Sequence, residues 1–130
     1  MLSGELASKP VKTISPDKTI EEAAQIMTQY NIGALVLVDS KNPNKPIGIV
    51  GERDIVKATA LKISPYATVD KIATMHRLVT VREDEPAEAA LEKMLKHNVR
   101  RVIVVDKDGN LVGLIGIRDV VRELDKFCKK

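Results

Sequence analysis

The most constraining feature of this sequence is an internal duplication. A shift of 67 positions superimposes identical residues, as in Thr13 and Thr80, Asp17 and Asp84, Ala23 and Ala90, Met27 and Met94, Asn31 and Asn98, Val38 and Val105, and Asp39 and Asp106. After a turn that is two residues longer in the first copy, a shift of 65 aligns Gly48, Gly51, Arg53 and Asp54 with Gly113, Gly116, Arg118 and Asp119. The duplication predicts two copies of one structural unit.

Each copy has the pattern of a β-α-β-β-α unit. Predicted strands cover residues 11–14, 34–38 and 47–50 in the first copy, and 78–81, 102–105 and 111–115 in the second. The strands at 34–38 and 102–105 are almost wholly apolar, which is typical of strands buried on both faces. Each helix between the first two strands carries an apolar stripe at helical spacing. The predicted fold class is therefore α/β (α+β), with tandem β-α-β-β-α repeats packed about a pseudo-twofold axis.

Capping residues fix the predicted helix ends. In the first copy Thr19 and Glu22 have the spacing of a capping box. In the second copy Asp84 or Glu85 is expected to cap, with Pro86 in the first turn. Asn31 and Asn98 are expected to end these helices. The last helix, about residues 118–128, is expected to bury Val120, Val121 and Leu124, with Phe127 near its end.

Length and composition set the limits of this architecture. The 130 residues suffice for a single module, with repeat one at about 6–61 and repeat two at about 70–128. A repeat of about 60 residues is marginal alone, so the two are expected to stabilise each other. No apolar run approaches the roughly 18 residues that span a bilayer, and no signal peptide is evident. Cys128 is the one cysteine, which excludes an internal disulfide. We expect a cytoplasmic protein without membrane association.

The duplicated turn supplies the candidate chemistry. In each copy an apolar strand ends at a glycine and a helix follows, so that Asp54 and Asp119 lie where strand gives way to helix. A carboxylate there can accept hydrogen bonds from a ligand, or can simply stabilise the helix dipole. Both readings stay open, as do ion pairing and ligand contact for Arg53 and Arg118. No phosphate loop, dinucleotide fingerprint or nucleophile-base pair occurs, so an enzyme is not expected.

Together these features resemble a pair of cystathionine-β-synthase (CBS) domains, also called a Bateman module. The resemblance covers about residues 6–124 and rests on the duplication, on the stretch Asn-Val-Arg-Arg-Val-Ile-Val-Val-Asp at 98–106, and on the two glycine-to-Arg-Asp turns. It implies a regulatory module that binds AMP, ADP, ATP or S-adenosylmethionine in clefts between the repeats, requires no cofactor, and forms a homodimer that acts on an unidentified regulated protein.

The resemblance also implies site residues. Asp54 and Asp119 would bind ribose hydroxyls, and Arg100 and Arg101 would lie near phosphate. The complete set that it implies is Thr13, Ile14, Ile32, Gly33, Ala34, Gly51, Arg53 and Asp54 in the first copy, and Thr80, Val81, Val99, Arg100, Arg101, Gly116, Arg118 and Asp119 in the second.

Two departures qualify the site prediction. The family commonly has Ser or Thr three residues before the Asp, where this chain has Gly51 and Gly116. A backbone N–H group could replace the missing hydroxyl, because glycine allows close approach. Since only the second copy has Arg100 and Arg101, the predicted preference is for the Asp119 site over the Asp54 site.

Two other function classes compete with ligand sensing. A ligand-free dimerisation or protein-docking module would account for the missing hydroxyls. Nucleic-acid binding draws on the sequence pI of about 9.0, but the net charge of +3 comes from nearly balanced acids and bases rather than a basic cluster. Nucleic acid is therefore the least expected partner.

Overall fold

The computed structural model describes residues 1–129. Its elements in chain order are α1 (Ser3–Leu6), β1 (Thr13–Ile14), α2 (Ile20–Tyr30), β2 (Ala34–Asp39), β3 (Asn42–Gly51), α3 (Glu52–Ala60), a 3-10 turn (Val69–Lys71), β4 (Thr74–Met75), β5 (Thr80–Arg82), α4 (Ala87–His97), β6 (Arg101–Val105), β7 (Leu111–Gly116) and α5 (Ile117–Cys128). The predicted mixed fold with two β-α-β-β-α repeats is confirmed.

The chain divides into two compact units. The first-repeat unit is Lys12–Leu78, and the second-repeat unit joins Met1–Val11 to residues 79–129. The segment that precedes β1 therefore packs with the second repeat rather than with the repeat it precedes. Likewise, the segment between α3 and β5 packs with the first repeat. Each unit has its own aliphatic core.

The first-repeat unit contains a four-stranded sheet in the order β1-β2-β3-β4. β1 runs parallel to β2, whereas β2-β3 and β3-β4 are antiparallel. Helix α2 buries Ile20, Ala23 and Met27, and the last two lie in one core cluster with buried residues of β2 and β3. Its start is the predicted capping box of Thr19 and Glu22, which is confirmed.

The second-repeat unit contains a three-stranded sheet in the order β5-β6-β7, with β5 parallel to β6 and β7 antiparallel to it. The N-terminal segment adds to the outer edge of β7 through a pair of backbone hydrogen bonds between Ser8 and Leu114. Leu6 enters the core of this unit, and Ser3 is fully buried. These contacts hold the N-terminal segment against the second repeat.

Both helices that precede a buried strand end as the sequence predicts. Asn31 and Asn98 adopt left-handed backbone, with φ of 51° and 52°, at the ends of α2 and α4. Asparagine tolerates this conformation better than most residues. The repeat is thus preserved down to the helix ends.

The start of α4 differs from the prediction. Pro86, not Asp84 or Glu85, is the residue before the helix, and no side chain caps it. The Glu85 carboxylate instead accepts from the backbone N–H of Arg82. The first amide of the helix, that of Ala87, donates to the carbonyl of Met1 at 3.0 Å. A distant backbone therefore replaces the local cap.

Two further predictions were wrong. β3 begins at Asn42 rather than Ile47, because the β2-β3 ladder continues past the prolines through an irregular register that pairs Asp39 with Asn42. A bulge accommodates residues that cannot donate to a ladder. On α5, Val121 and Leu124 are exposed, along with Phe127 at 71%, and only Val120 packs partly against the core.

No helix among residues 1–129 is long and apolar enough to cross a membrane.

Candidate functional site: two acidic strand-to-helix turns

In the first-repeat unit, the end of β3 and the start of β2 meet at one corner of the sheet. Ala34 pairs with Gly51 across the β2-β3 ladder. The amide of Glu52, the first residue of α3, donates to the carbonyl of Gly33 at 3.0 Å. Four predicted site residues, Gly33, Ala34, Gly51 and Asp54, therefore lie next to one another.

The Asp54 carboxylate is fixed by one contact. The N–H of Gly51 donates to Oδ2 of Asp54 at 2.8 Å. In a capping box the N-cap side chain also accepts a hydrogen bond from the backbone N–H three residues later, here that of Asp54. Gly51 has no side chain, so this second hydrogen bond is missing. Within residues 1–129 no other group donates to this half-buried carboxylate, so Oδ1 can accept from a ligand.

The remaining first-repeat candidates lie around this corner. Thr13 and Ile14 pair with Val36 and Leu37, two residues farther along β2 than Ala34 and on the opposite side from β3. This offset is about 7 Å along the strand. Ile32 packs partly into the core, and Arg53 is exposed on the first turn of α3.

In the second-repeat unit, the same turn is built but its carboxylate is occupied. Arg101 pairs with Gly116, and the N–H of Gly116 donates to Oδ2 of Asp119 at 2.8 Å. Oδ1 of Asp119 accepts from the hydroxyl of Ser8 and from Nη1 of Arg122, the latter at 3.3 Å. Asp119 is only 5% exposed. Three donors thus converge on a carboxylate whose counterpart, Asp54, has one.

The other second-repeat candidates occupy positions equivalent to those in the first. Thr80 and Val81 pair with Ile103 and Val104 of β6. The carbonyl of Thr80 is already bonded to Nζ of Lys93 at 2.6 Å. The candidates at the entrance of β6 and on α5 are half-buried Val99, exposed Arg100, half-buried Arg101 and exposed Arg118.

Sequence reasoning missed Ser8 and Arg122 as partners of Asp119. Arg122 lies three residues after Asp119 on α5, and this i, i+3 spacing could have revealed it. Ser8 is 111 residues away in sequence, and no local pattern indicates its contact. The contact arises from the packing of the N-terminal segment on β7.

Two surface grooves lie elsewhere in the units. A groove of about 490 Å³ in the first-repeat unit includes Thr13 and Ile14 but neither Asp54 nor Gly51 in its lining. A groove of about 630 Å³ in the second-repeat unit is lined mainly by charged residues, including Arg82 and Asp106. Within residues 1–129 no group of three His, Cys, Asp or Glu side chains lies close enough together to hold a metal ion. The turns remain the candidate binding elements.

The repeats and their acidic turns define the class of this protein. A family model for the CBS domain matches residues 3–61 and again residues 63–126. The chain therefore belongs to the CBS domain family and contains a tandem pair of these domains.

Solved structures share both the fold and the sequence. The chain superimposes with a TM-score of 0.87 on a CBS domain protein, PAE2072 from Pyrobaculum aerophilum, complexed with AMP; the two are 34% identical over 97% of this chain and 99% of the other. It also matches the CBS domain pair of protein MJ0100, solved with 5'-methylthioadenosine and S-adenosyl-L-methionine. That match has a TM-score of 0.87 and 35% identity, over 100% of this chain and 98% of the other.

Sequence relatives differ in length. A 17.7 kDa protein from Acidianus ambivalens is 35% identical over 92% of this chain, which spans 71% of that relative. An inosine-5'-monophosphate dehydrogenase from Methanocaldococcus jannaschii is also 35% identical, but the chain spans only 22% of its length. The likeness to that enzyme is thus confined to a minor part of it.

Proposed function

We propose that this protein is a regulatory module that binds an adenosyl ligand, such as AMP, ADP, ATP or S-adenosylmethionine, and passes its binding on to a partner protein. The observation that carries the proposal is the Asp54 turn. A ribose offers two neighbouring hydroxyl donors, and Asp54 offers a carboxylate with one oxygen unoccupied by the residues described. Two similar CBS-pair structures were solved with adenosyl compounds, which supports this ligand class.

The geometry also supports a placement of the ligand. With the ribose hydroxyls on Asp54, the adenosine would extend across the corner formed by Gly33 and Ala34 toward Thr13 and Ile14. Backbone amides in the first turn of α3 would favour a phosphate or another anionic group, because helix N-termini attract negative charge. Exposed Arg53, on that same turn, would add a positive charge.

This placement reverses the preference predicted from the sequence, which favoured Asp119 because of Arg100 and Arg101. Asp119 is buried and holds three internal donors, whereas Asp54 is half-buried and holds one. Each donor already present must be displaced or shared before a hydroxyl of the ligand can bind. We therefore propose Asp54 as the principal site.

Thermal unfolding with and without ligand tests the proposal. A ligand at about 100 times its Kd stabilises the folded state by about 2.7 kcal/mol, which raises Tm by several degrees for a chain of this size. We expect such a shift from at least one of AMP, ADP, ATP and S-adenosylmethionine at millimolar concentration. Adenine, which lacks the ribose, is the control and should cause no shift. An unchanged Tm with all four would refute the proposed ligand class.

The output of the module is proposed to be regulatory rather than catalytic. The relatives include a protein in which the similar region is a minor part of a longer dehydrogenase, which supports a role beside a separate catalytic unit. Action in the cytoplasm, on a partner not yet identified, stays a prediction of the same proposal.

A second candidate function is ligand-free assembly, and α5 favours it. Ile117, Val121 and Leu124 are spaced on one face of this helix and are 52%, 57% and 56% exposed. An amphipathic helix normally buries such a face. We propose that this face supports the homodimer expected from the sequence.

Sedimentation of Val121→Glu separates the two functions. If the face forms a dimer, this variant should be a monomer while the wild-type protein is a dimer. The exposed helix residue Gln25, changed to Glu, serves as a control that adds the same charge elsewhere. A monomeric wild-type protein would contradict the dimer, whereas a dimer unresponsive to all adenosyl ligands would favour assembly alone.

A further inference from the structure

The N-terminal segment reaches the turn that carries Asp119, and the corresponding segment in the other unit does not reach Asp54 in the same way. Ser8 pairs with Leu114 at the outer edge of β7. In the first-repeat unit, Thr74 of β4 pairs with Ile49 at the outer edge of β3. Since Leu114 and Ile49 are equivalent in the duplication, Ser8 and Thr74 occupy equivalent positions.

These equivalent hydroxyls behave differently. The hydroxyl of Ser8 donates to Oδ1 of Asp119, whereas no hydrogen bond joins Thr74 to Asp54 within the described part of the chain. Oδ1 of Asp119 also accepts from Arg122, so its two lone-pair positions are both used. Oδ2 of Asp119 accepts from the N–H of Gly116, which leaves one of its two lone-pair positions for a further donor. A ribose diol needs two acceptor positions, and Asp119 retains only one.

We propose that Ser8 determines which of the two acidic turns takes the ligand, by occupying the Asp119 carboxylate from within the chain. This inference rests on the proposed function, and it assigns Ser8 a specificity-determining role at the second turn. The ligand then binds at the Asp54 turn, and binding at Asp119 requires release of the Ser8 hydroxyl. The two repeats are alike in fold but inequivalent in binding.

The surrounding packing makes this contact persistent. Leu6 lies in the core of the second-repeat unit, and Ser8 is held to β7 by two backbone hydrogen bonds with Leu114, one through its N–H and one through its carbonyl. A Cβ added at Gly113 would lie 2.8 Å from the Cβ of Ala7, so the segment is seated closely on the strand. The position of the Ser8 hydroxyl next to Asp119 is therefore fixed by the packing of the N-terminal segment on β7.

Calorimetric titration with AMP, and separately with S-adenosylmethionine, tests the proposed role of Ser8 by measuring how many ligand molecules bind per chain. We expect the wild-type chain to bind one equivalent. Ser8→Ala should bind a second equivalent, with second-site affinity raised at least about tenfold, which corresponds to 1.4 kcal/mol. Ser8→Thr keeps the hydroxyl and should behave as wild type. Thr74→Ala is the matched control, because it removes the equivalent hydroxyl where no contact to Asp54 exists, and it should change neither stoichiometry nor affinity.

Further variants assign the two equivalents to their turns. In the Ser8→Ala background, Asp54→Ala should abolish the first equivalent and Asp119→Ala the second. Two equivalents in the wild-type chain, or one equivalent in both wild type and Ser8→Ala, would overturn the role of Ser8 and leave the proposed function standing. Absence of binding in every variant, with ADP and ATP as well as with AMP and S-adenosylmethionine, would overturn the proposed function and the role of Ser8 with it.

Discussion

Replacement of Asp54 by Asn is the perturbation that probes the proposed site most selectively. Asn has nearly the same shape, and its amide oxygen can still accept the N–H of Gly51 that now bonds to Oδ2 at 2.8 Å. The amide nitrogen then replaces the oxygen that no described residue occupies. That nitrogen donates and cannot accept, so one of the two ribose hydroxyls loses its acceptor.

The magnitude follows from the charge that is lost. A hydrogen bond to a charged group contributes about 1.5–3 kcal/mol and a neutral one about 0.5–1.5 kcal/mol. Loss of one charged bond costs about 1.5–3 kcal/mol, and weakening of the other costs about 1–1.5 kcal/mol, so the binding free energy should fall by about 2.5–4.5 kcal/mol. This corresponds to a Kd for AMP that is raised about 60- to 2,000-fold.

Isothermal titration calorimetry measures this Kd, and Asp119→Asn is the matched control. Asp119→Asn should change the Kd for AMP less than about threefold, which is less than about 0.7 kcal/mol. It should lower the free energy of unfolding more than Asp54→Asn does. The reason is that Asp119 is buried and accepts from Ser8, Gly116 and Arg122. If Asp119→Asn weakens AMP binding and Asp54→Asn does not, the assignment of the principal site is wrong.

The remaining predictions concern stability and local electrostatics. Leu35 is fully buried in the first-repeat core, so Leu35→Ala should lower the free energy of unfolding by about 3 kcal/mol in urea denaturation. A loss below about 1 kcal/mol would contradict the described core. Gly113→Ala should destabilise by about 1–3 kcal/mol, because the new Cβ would lie 2.8 Å from the Cβ of Ala7. At both Gly113 and Gly48 a backbone carbonyl oxygen lies 3.1 Å from the new Cβ, but at Gly48 the nearest atom belongs to the flexible side chain of Met75. Gly48→Ala should therefore destabilise less, and equal thermal shifts would argue against that packing. The Ser15 hydroxyl donates to the Asp17 carboxylate and holds the pKa of that carboxyl below its usual range. Ser15→Ala should therefore raise that pKa in an NMR titration, and an unchanged value would rule the contact out.

The duplication made most of the fold predictable. Apolar periodicity located the strands and helices of each repeat, and short local signals such as the Thr19–Glu22 capping box and the αL residue Asn31 fixed helix ends. These features depend on residues within four positions of one another, so the sequence states them directly. The acidic turns were predictable for the same reason, since the glycine and the Asp it contacts are three residues apart.

What the sequence could not predict depends on contacts between distant segments. The start of α4 is satisfied by the carbonyl of Met1, and Asp119 is occupied by Ser8; both partners come from the N-terminal segment. Local rules predict that Asp84 or Glu85 caps α4 and that the Asp119 carboxylate projects from the sheet edge, and neither rule takes the N-terminal segment into account. The exposed face of α5 was mispredicted because amphipathic spacing identifies an apolar face but not what covers it.

A crystal structure of the wild-type protein grown with AMP shows directly whether the Asp54 carboxylate binds the ribose of an adenosyl ligand. We expect one nucleotide per chain, with both ribose hydroxyls about 2.5–3.0 Å from the Asp54 carboxylate oxygens and with Ser8 still bonded to Asp119. A nucleotide whose ribose contacts Asp119 instead, or one that lies away from both turns, would show that Asp54 is not the ribose-binding group.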